Sequence, residues 1–270
     1  MNRFEMYENL TRFRQPLVEK IIDALEINPQ SKGIDIGCGI GKIARLLVDR
    51  VGLTETLTAL DYSHDLIKYA NSNLGNANVQ FVQGDINNLE FESNSFDWIW
   101  SMDTIWAGPK EVGCPAETPH EILKQLNRIL KPGGKLYLLY WTSQKFLPGY
   151  PLLEARLNTL ASANAPFREN MDPENHVMNG VKWLRNASFV DVKAKTFVGD
   201  VQGPLNESDK QAINTFFKML WGNSSSEISE EDWRKFKEIS SPDSNNFILK
   251  NPGYYGCYTY TLFQGTKTEL

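Results

Sequence analysis

The side chains able to do chemistry gather early in the chain. Residues 32–48 read KGIDIGCGIGKIARLLV, so Asp35 is followed at alternate positions by Gly37, Gly39 and Gly41. Further carboxylates stand at Asp61 and Asp85. Glycines at this spacing supply backbone that can adopt left-handed torsions and come close to a bound molecule. Carboxylates beyond them can accept hydrogen bonds from hydroxyl and amino groups. The pattern offers recognition of a nucleotide-like ligand.

Those residues need elements to position them. The short apolar run 33–36 reads as a buried strand carrying one acid, and Ile43, Ala44, Leu46 and Leu47 recur at helical spacing behind the glycines. Strand, glycine turn and helix N-terminus form an approach for a ligand. The dinucleotide fingerprint G-x-G-x-x-G does not fit, because Lys42 stands where it wants its last glycine. No Gly-Lys-Ser/Thr follows, which removes the P-loop. Residues 56–60 form a second apolar, β-branched strand ending at Asp61. An acid roughly 20 residues past the turn is placed to accept both ribose hydroxyls of a nucleoside. The competing role for Asp61 is the N-cap of a helix over 63–70. A third strand, 79–82, leads to Gly84-Asp85-Ile86; SFDWIW at 95–100 forms a fourth, and LKPGGKL at 130–136 is a turn before a fifth, 137–141.

The D-x-G-x-G-x-G segment resembles motif I of the class I S-adenosylmethionine-dependent methyltransferases, and the acid after the second strand, GDI, SFD and LKPGG follow in that family's order. The resemblance is strong over 31–140 and weak elsewhere. It implies a small-molecule methyltransferase domain with an α/β, Rossmann-like fold: a seven-stranded, mostly parallel sheet, helices on both faces and a helical insertion between the last two strands. It implies S-adenosyl-L-methionine as cofactor and S-adenosyl-L-homocysteine as product, with cofactor contacts at Asp35, Gly37, Cys38, Gly39, Gly41, Asp61, Tyr62, Asp85, Ile86 and Ser101. Asp85 would hydrogen-bond the adenine amino group, Ile86 pack on its ring, and the backbone at Ser101 receive the methionine part.

The composition sets outer bounds. At 270 residues and 30.8 kDa the chain suits one large α/β domain, 1–270, with a substantial lid. A net charge of −5 and a pI near 5.4 repel nucleic acid and acidic membrane, leaving a small-molecule substrate as the expected partner. With no long apolar run and no signal-like start, the expected location is the cytoplasm. Cys38, Cys114 and Cys257 are odd in number and far apart, and His64, His120 and His176 show no metal-ligand spacing, so neither a disulfide scaffold nor a metal is expected.

Flanking segments supply the substrate side. Residues 1–30 read as a helical cap in which Pro16 begins an amphipathic helix through Leu17, Val18, Ile21, Ile22 and Leu25. Ahead of it Phe4, Tyr7 and Phe13 mix with arginines, as a surface helix or as a flap in which Tyr7 is the chosen substrate contact. Residues 147–164 read as an inserted helix, 177–189 as a helix and turn, 190–198 as a strand, and 256–264 as a last strand, which the resemblance implies is antiparallel beside the fifth. The insertion 199–253 shows two aromatic-rich helices parted at 222–226, serving as core, lid or dimer contact; monomer and homodimer both remain open. The loop 101–115 follows the carboxyl end of the fourth strand and so faces the cofactor; Asp103 and Trp106 are its substrate candidates. Methyl transfer from a sulfonium is an in-line displacement that asks mainly for position and a dry pocket. A hydroxyl or carbon acid would need a base, for which Asp103, His120 and Tyr140 are candidates. The alternative is a catalytically silent S-adenosylmethionine-binding protein or regulatory subunit.

Overall fold

The structure, a computed structural model, describes all residues except 1–2, 76–77, 109–113, 117, 168–170, 223–225 and 270. Parts of the expected loop 101–115 and of the helix break 222–226 therefore lie outside the described residues.

A seven-stranded sheet has the order β3-β2-β1-β4-β5-β7-β6, built from β1 (Gly33–Ile36), β2 (Leu57–Asp61), β3 (Val79–Gln83), β4 (Phe96–Met102), β5 (Leu130–Lys145), β6 (Phe189–Gln202) and β7 (Tyr255–Lys267). The first five strands pair in parallel. Such strands are covered on both faces and so read as continuous apolar runs, and β1 is buried at every residue. β7 runs the other way. Its residues 258, 261 and 265 lie beside 199, 196 and 192 of β6, and Thr259 meets Thr142 of β5 while Lys267 reaches Leu130. The sheet is thus mixed, with β7 between the fifth strand and the edge strand β6.

Strand order reverses at β1, whose neighbours are β2 and β4. Ligands of open α/β sheets bind beyond the carboxyl ends of the strands at such a switch point. Asp35 lies opposite Ala59 on one side and Trp100 on the other, which sets that acid one residue below the strand's end.

The helices are α1 (Arg3–Asp23), α2 (Lys42–Val51), α3 (His64–Leu74), α4 (Pro119–Ile129), α5 (Pro151–Leu157), α6 (Ala161–Asn164), α7 (Gly180–Asn186), α8 (Glu207–Trp221) and α9 (Glu230–Ser240). Pro16 does not begin the first helix; it lies inside it. Leu10 and Phe13, ahead of the proline, are buried and carry the helical face across it, outweighing the lost backbone donor. The segment 147–164 forms two short helices, α5 and α6, instead of one, and Leu152 points to solvent. The LKPGG stretch is not a turn ahead of β5 but a bulge within it. Phe96 pairs with Leu130 and Trp98 with Lys135, so two steps on β4 (96 to 98) match five on β5 (130 to 135), with Gly133 left-handed.

The chain divides into two compact units. One comprises Leu17–Trp141, Met171–Phe197 and Tyr260–Leu270, with a core that includes Ile34, Ile36, Leu60, Ile99, Leu136 and Leu138. The other comprises Met1–Pro16, Thr142–Asn170 and Val198–Thr259. Within it the rings of Phe13, Phe146, Phe216 and Tyr258 pack together, and Phe217 stacks on Trp221 with Phe236 edge-on. Phe216, Phe217 and Trp221 are buried, so the aromatics of α8 are core to this unit. Glu154 is buried there too and accepts from the Phe146 N–H; burial pushes its carboxyl above the usual range. No helix among the described residues is long and apolar enough to cross a membrane.

Candidate functional site

The glycine turn after β1 is tied to the end of β2. Gly37, Gly39 and Gly41 all have positive φ, the left-handed region that side chains resist. The N–H groups of Gly37 and Cys38 both donate to the Leu60 carbonyl, at 2.7 and 3.0 Å. Space as well as torsion excludes side chains here: a Cβ on Gly37 would overlap the Thr104 hydroxyl, and one on Gly41 the Phe81 ring. Helix α2 starts directly behind, with Gly41 as its N-cap, a residue that has no side chain to cap the first N–H groups.

Asp61 bridges the glycine turn and the start of α3, whose N-cap is Ser63 and not Asp61. Oδ2 accepts from the Gly39 N–H at 2.9 Å and Oδ1 from the Ser63 N–H at 2.9 Å. A carboxylate has about four lone-pair sites, so fixing the turn and the start of α3 leaves acceptor capacity on each oxygen. Tethering the turn and accepting from a ligand are therefore compatible, because each tether uses only one lone pair.

Asp35 is the unusual group. Its side chain is only 1% exposed, and Oδ2 is buried without a hydrogen-bond partner. Burial first, and the charge of Asp61 second, push its carboxyl up to about 8. Trp100, its register partner on β4, likewise has a buried, unpartnered indole N–H. Buried polar groups nearly always find partners, so this oxygen is exceptional. Cys38 adds no nucleophile: burial, Asp35 and Asp61 all push its thiol far up, away from thiolate.

The remaining expected contacts divide. Asp85 accepts from the backbone and side-chain N–H of Asn87 at 2.8 and 2.9 Å, which shapes the loop after β3. Ile86 is buried in the hydrophobic core, so most of its surface is spent there and not on an open face. Tyr62, beside Asp61, is 76% exposed and presents a free ring face. Ser101 is buried, its hydroxyl donating to the Ile36 carbonyl at 3.0 Å.

Of the three base candidates, Tyr140 and Asp103 lie near enough for the carboxylate's charge to act on the phenol. Tyr140 is buried with its hydroxyl donating to the Ile105 carbonyl at 2.8 Å, amid Trp106, Trp183 and Phe263, and burial pushes its pKa far up. It is a core residue with its hydroxyl spent on that carbonyl. Asp103 accepts from the Trp141 N–H through Oδ1 at 2.8 Å and from the Tyr260 hydroxyl through Oδ2 at 2.7 Å. Its carboxylate is committed to β5 and β7. His120 lies exposed in the first turn of α4. Trp106 donates to the Asp103 carbonyl at 2.9 Å and packs edge-on against Tyr140 at 5.4 Å, the geometry of a plug on the core. Tyr7 belongs to the other unit, its ring under the Arg3 guanidinium at 5.8 Å. Sequence reasoning missed Thr104, which packs on Gly37, and Tyr260, which holds Asp103. Thr104 was within reach as the next residue in a loop already singled out; Tyr260 carried no local signal.

Residues 34–138 match a family described as the methyltransferase domain. Demethylmenaquinone methyltransferase of Staphylococcus aureus is 27% identical over 74% of this chain and 85% of its own length. Among solved structures, the YcgJ protein of Bacillus subtilis shares 18% identity with a TM-score of 0.54, covering 95% of this chain and 100% of that one. The Haemonchus contortus phosphoethanolamine N-methyltransferase 2, solved with S-adenosyl-L-methionine, shares 16% identity with a TM-score of 0.50, over 99% of this chain and 53% of that one. Both structures share the fold. Residues 34–138 thus match a methyltransferase domain, and the strand order fits the class I methyltransferase fold.

Proposed function

We propose that the protein transfers a methyl group from S-adenosylmethionine to a small-molecule acceptor by in-line displacement. The observation that carries the reading is the buried, unpartnered Oδ2 of Asp35 at the end of β1. A donor-bearing ligand supplies what that oxygen lacks, and the cofactor's amino-acid end carries an ammonium, next to its carboxylate and two methylenes from the sulfonium. The other residues fit the same group. The left-handed turn at Gly37, Gly39 and Gly41 brings bare backbone to the end of β1, Asp61 keeps lone pairs for two ribose hydroxyls, and the exposed Tyr62 offers its ring to the adenine.

Bound there, the cofactor supplies an electrophilic methyl carbon: the acceptor's lone pair forms the new bond to carbon while sulfur keeps the old bonding pair as a neutral thioether. The chain's own share is positioning. The hydrogen-bonded glycine turn fixes the backbone, and the buried acid counters positive charge. Because Tyr140 is locked in the core and the carboxylate of Asp103 is committed, the reading favours an acceptor that arrives already nucleophilic or loses its proton to solvent. The acidic chain, with net charge −5, supports a small molecule over a polynucleotide, whose binding depends on many cationic contacts to phosphate.

Calorimetry tests this directly. The wild-type chain should bind both S-adenosylmethionine and S-adenosylhomocysteine, and Asp61→Ala should weaken each by about a hundredfold or more, the loss of two charge-assisted bonds. Failure of the folded wild type to bind either compound would falsify the reading. With binding established, methyl transfer is assayed on a panel headed by demethylmenaquinone, the acceptor in the name of the Staphylococcus aureus relative.

A further inference from the structure

The loop leaving β4 contains a strained residue with an unusually complete set of restraints. Asp103 directly follows the last residue of β4 and has φ of 50°, a left-handed torsion that costs a side-chain-bearing residue of order 1 kcal/mol. Such strain persists only where the surroundings over-determine it, and here they do. The Asp103 N–H donates to the Leu139 carbonyl at 2.9 Å, and its own carbonyl accepts from the Trp106 indole at 2.9 Å. Oδ1 accepts from the Trp141 N–H and Oδ2 from the Tyr260 hydroxyl, at 2.8 and 2.7 Å. One residue is thereby pinned to both β5 and β7.

The bend this imposes decides where the next residue goes. Thr104 lands on Gly37, its hydroxyl occupying the space a side chain at 37 would take. That places Thr104 at the mouth between β1 and β4, the switch point of the sheet. Its hydroxyl proton is already given to the Met102 carbonyl at 2.9 Å, which leaves the oxygen able to act as an acceptor. An ammonium has only donors to offer, so an oxygen acceptor beside the glycine turn complements it.

We propose that Thr104 contacts the cofactor's amino-acid end through Oγ1 and that Asp103 is the positioning residue holding it there, an inference that rests on the function proposed above. Asp103 thus acts through Thr104 and touches no reacting atom. The carboxylate fixes the left-handed bend, and the bend sets the distance between the threonine oxygen and the glycine turn.

Two probes separate this from a merely structural role. S-Adenosylhomocysteine keeps the amino-acid end; 5′-methylthioadenosine lacks it but keeps the nucleoside held near Asp61. Both are titrated calorimetrically into wild type, Thr104→Val and Asp103→Asn. Valine keeps the threonine shape without the acceptor, and asparagine tolerates the left-handed torsion while losing the charged bonds. Each variant should weaken S-adenosylhomocysteine by about five- to fiftyfold, one hydrogen bond to a charged group, while methylthioadenosine stays within about twofold. In the double variant the effects should be less than additive, because both act through one contact. Equal weakening of both probes means general damage to the site and overturns the proposal, as does unchanged binding of S-adenosylhomocysteine. Should Asp103→Asn fail to fold, Thr104→Val carries the same two-probe comparison. Wild type that binds neither probe instead overturns the function proposed above, before any variant is measured.

Discussion

Replacing Asp35 by asparagine should remove a pH dependence of stability that the buried acid imposes on the cofactor-free protein. The folded carboxyl is pushed up to about 8, from an ordinary value of 3.8, by burial and then by Asp61. Between those two values the folded state holds a proton that the unfolded state has released. The native state therefore binds more protons, and stability falls as pH rises, by up to about 1.4 kcal/mol per pH unit. The loss begins near pH 4 and is complete above about pH 8. Over the two units from pH 5.5 to 7.5 the slope gives up to about 2.7 kcal/mol; water reaching the acid in a relaxed state would reduce this, so about 1–3 kcal/mol is expected. Asparagine has nearly the same shape and does not titrate. Urea unfolding of wild type and Asp35→Asn at pH 5.5, 6.5 and 7.5, at one ionic strength, isolates the group as the difference between the two stabilities. That difference should shift steadily against the wild type as pH rises. A difference independent of pH would refute the assignment of a protonated, buried Asp35. A ligand bringing positive charge to this oxygen should reverse the effect: wild type would release up to one proton on binding S-adenosylmethionine at pH 7, seen as a buffer-dependent binding enthalpy absent from Asp35→Asn.

Three other substitutions test the remaining geometry. Gly37→Ala forces a Cβ into the Thr104 side chain at a left-handed torsion, so it should cost about 1–3 kcal/mol in urea unfolding and weaken S-adenosylhomocysteine in calorimetry. Tyr140→Phe strands the Ile105 carbonyl in the core and should cost about 1–3 kcal/mol of stability; because that hydroxyl is spent on the carbonyl, methyl transfer per folded molecule should be unchanged, and a large drop in kcat would contradict its placement. Phe217→Ala opens a cavity beside Trp221 and Phe236 and should cost about 3–5 kcal/mol by denaturant titration. Near-neutral stability there would mean that the rings of α8 are not core.

The sequence by itself determined the cofactor half of this protein, and the reason is locality. A left-handed turn restricts its own residues to glycine, a strand covered on both faces must itself be apolar, and a carboxylate at a strand end lies a fixed step from the turn it serves. So β1, the glycine turn, α2, Asp61 and the order of the following strands were all legible between residues 31 and 140. β7 was legible as a strand in its own β-branched and aromatic residues, and its antiparallel place only through the family resemblance. What the tertiary structure decided was the fate of side chains whose partners lie far along the chain. Asp103 read as a substrate ligand until Tyr260, 157 residues away, took one of its oxygens. Tyr140 read as a base until neighbours from α7 and β7 enclosed it. Pro16 read as a helix start because propensity is counted residue by residue, whereas burial of Leu10 and Phe13 draws on packing no local window contains. Burial also made Asp35 more than a motif letter: the low dielectric that raises its pKa, and the absence of a partner for Oδ2, come from the strands on either side. Torsional demands are written in the residues that meet them, while the electrostatic and packing state of a side chain belongs to its surroundings, which only the folded chain assembles.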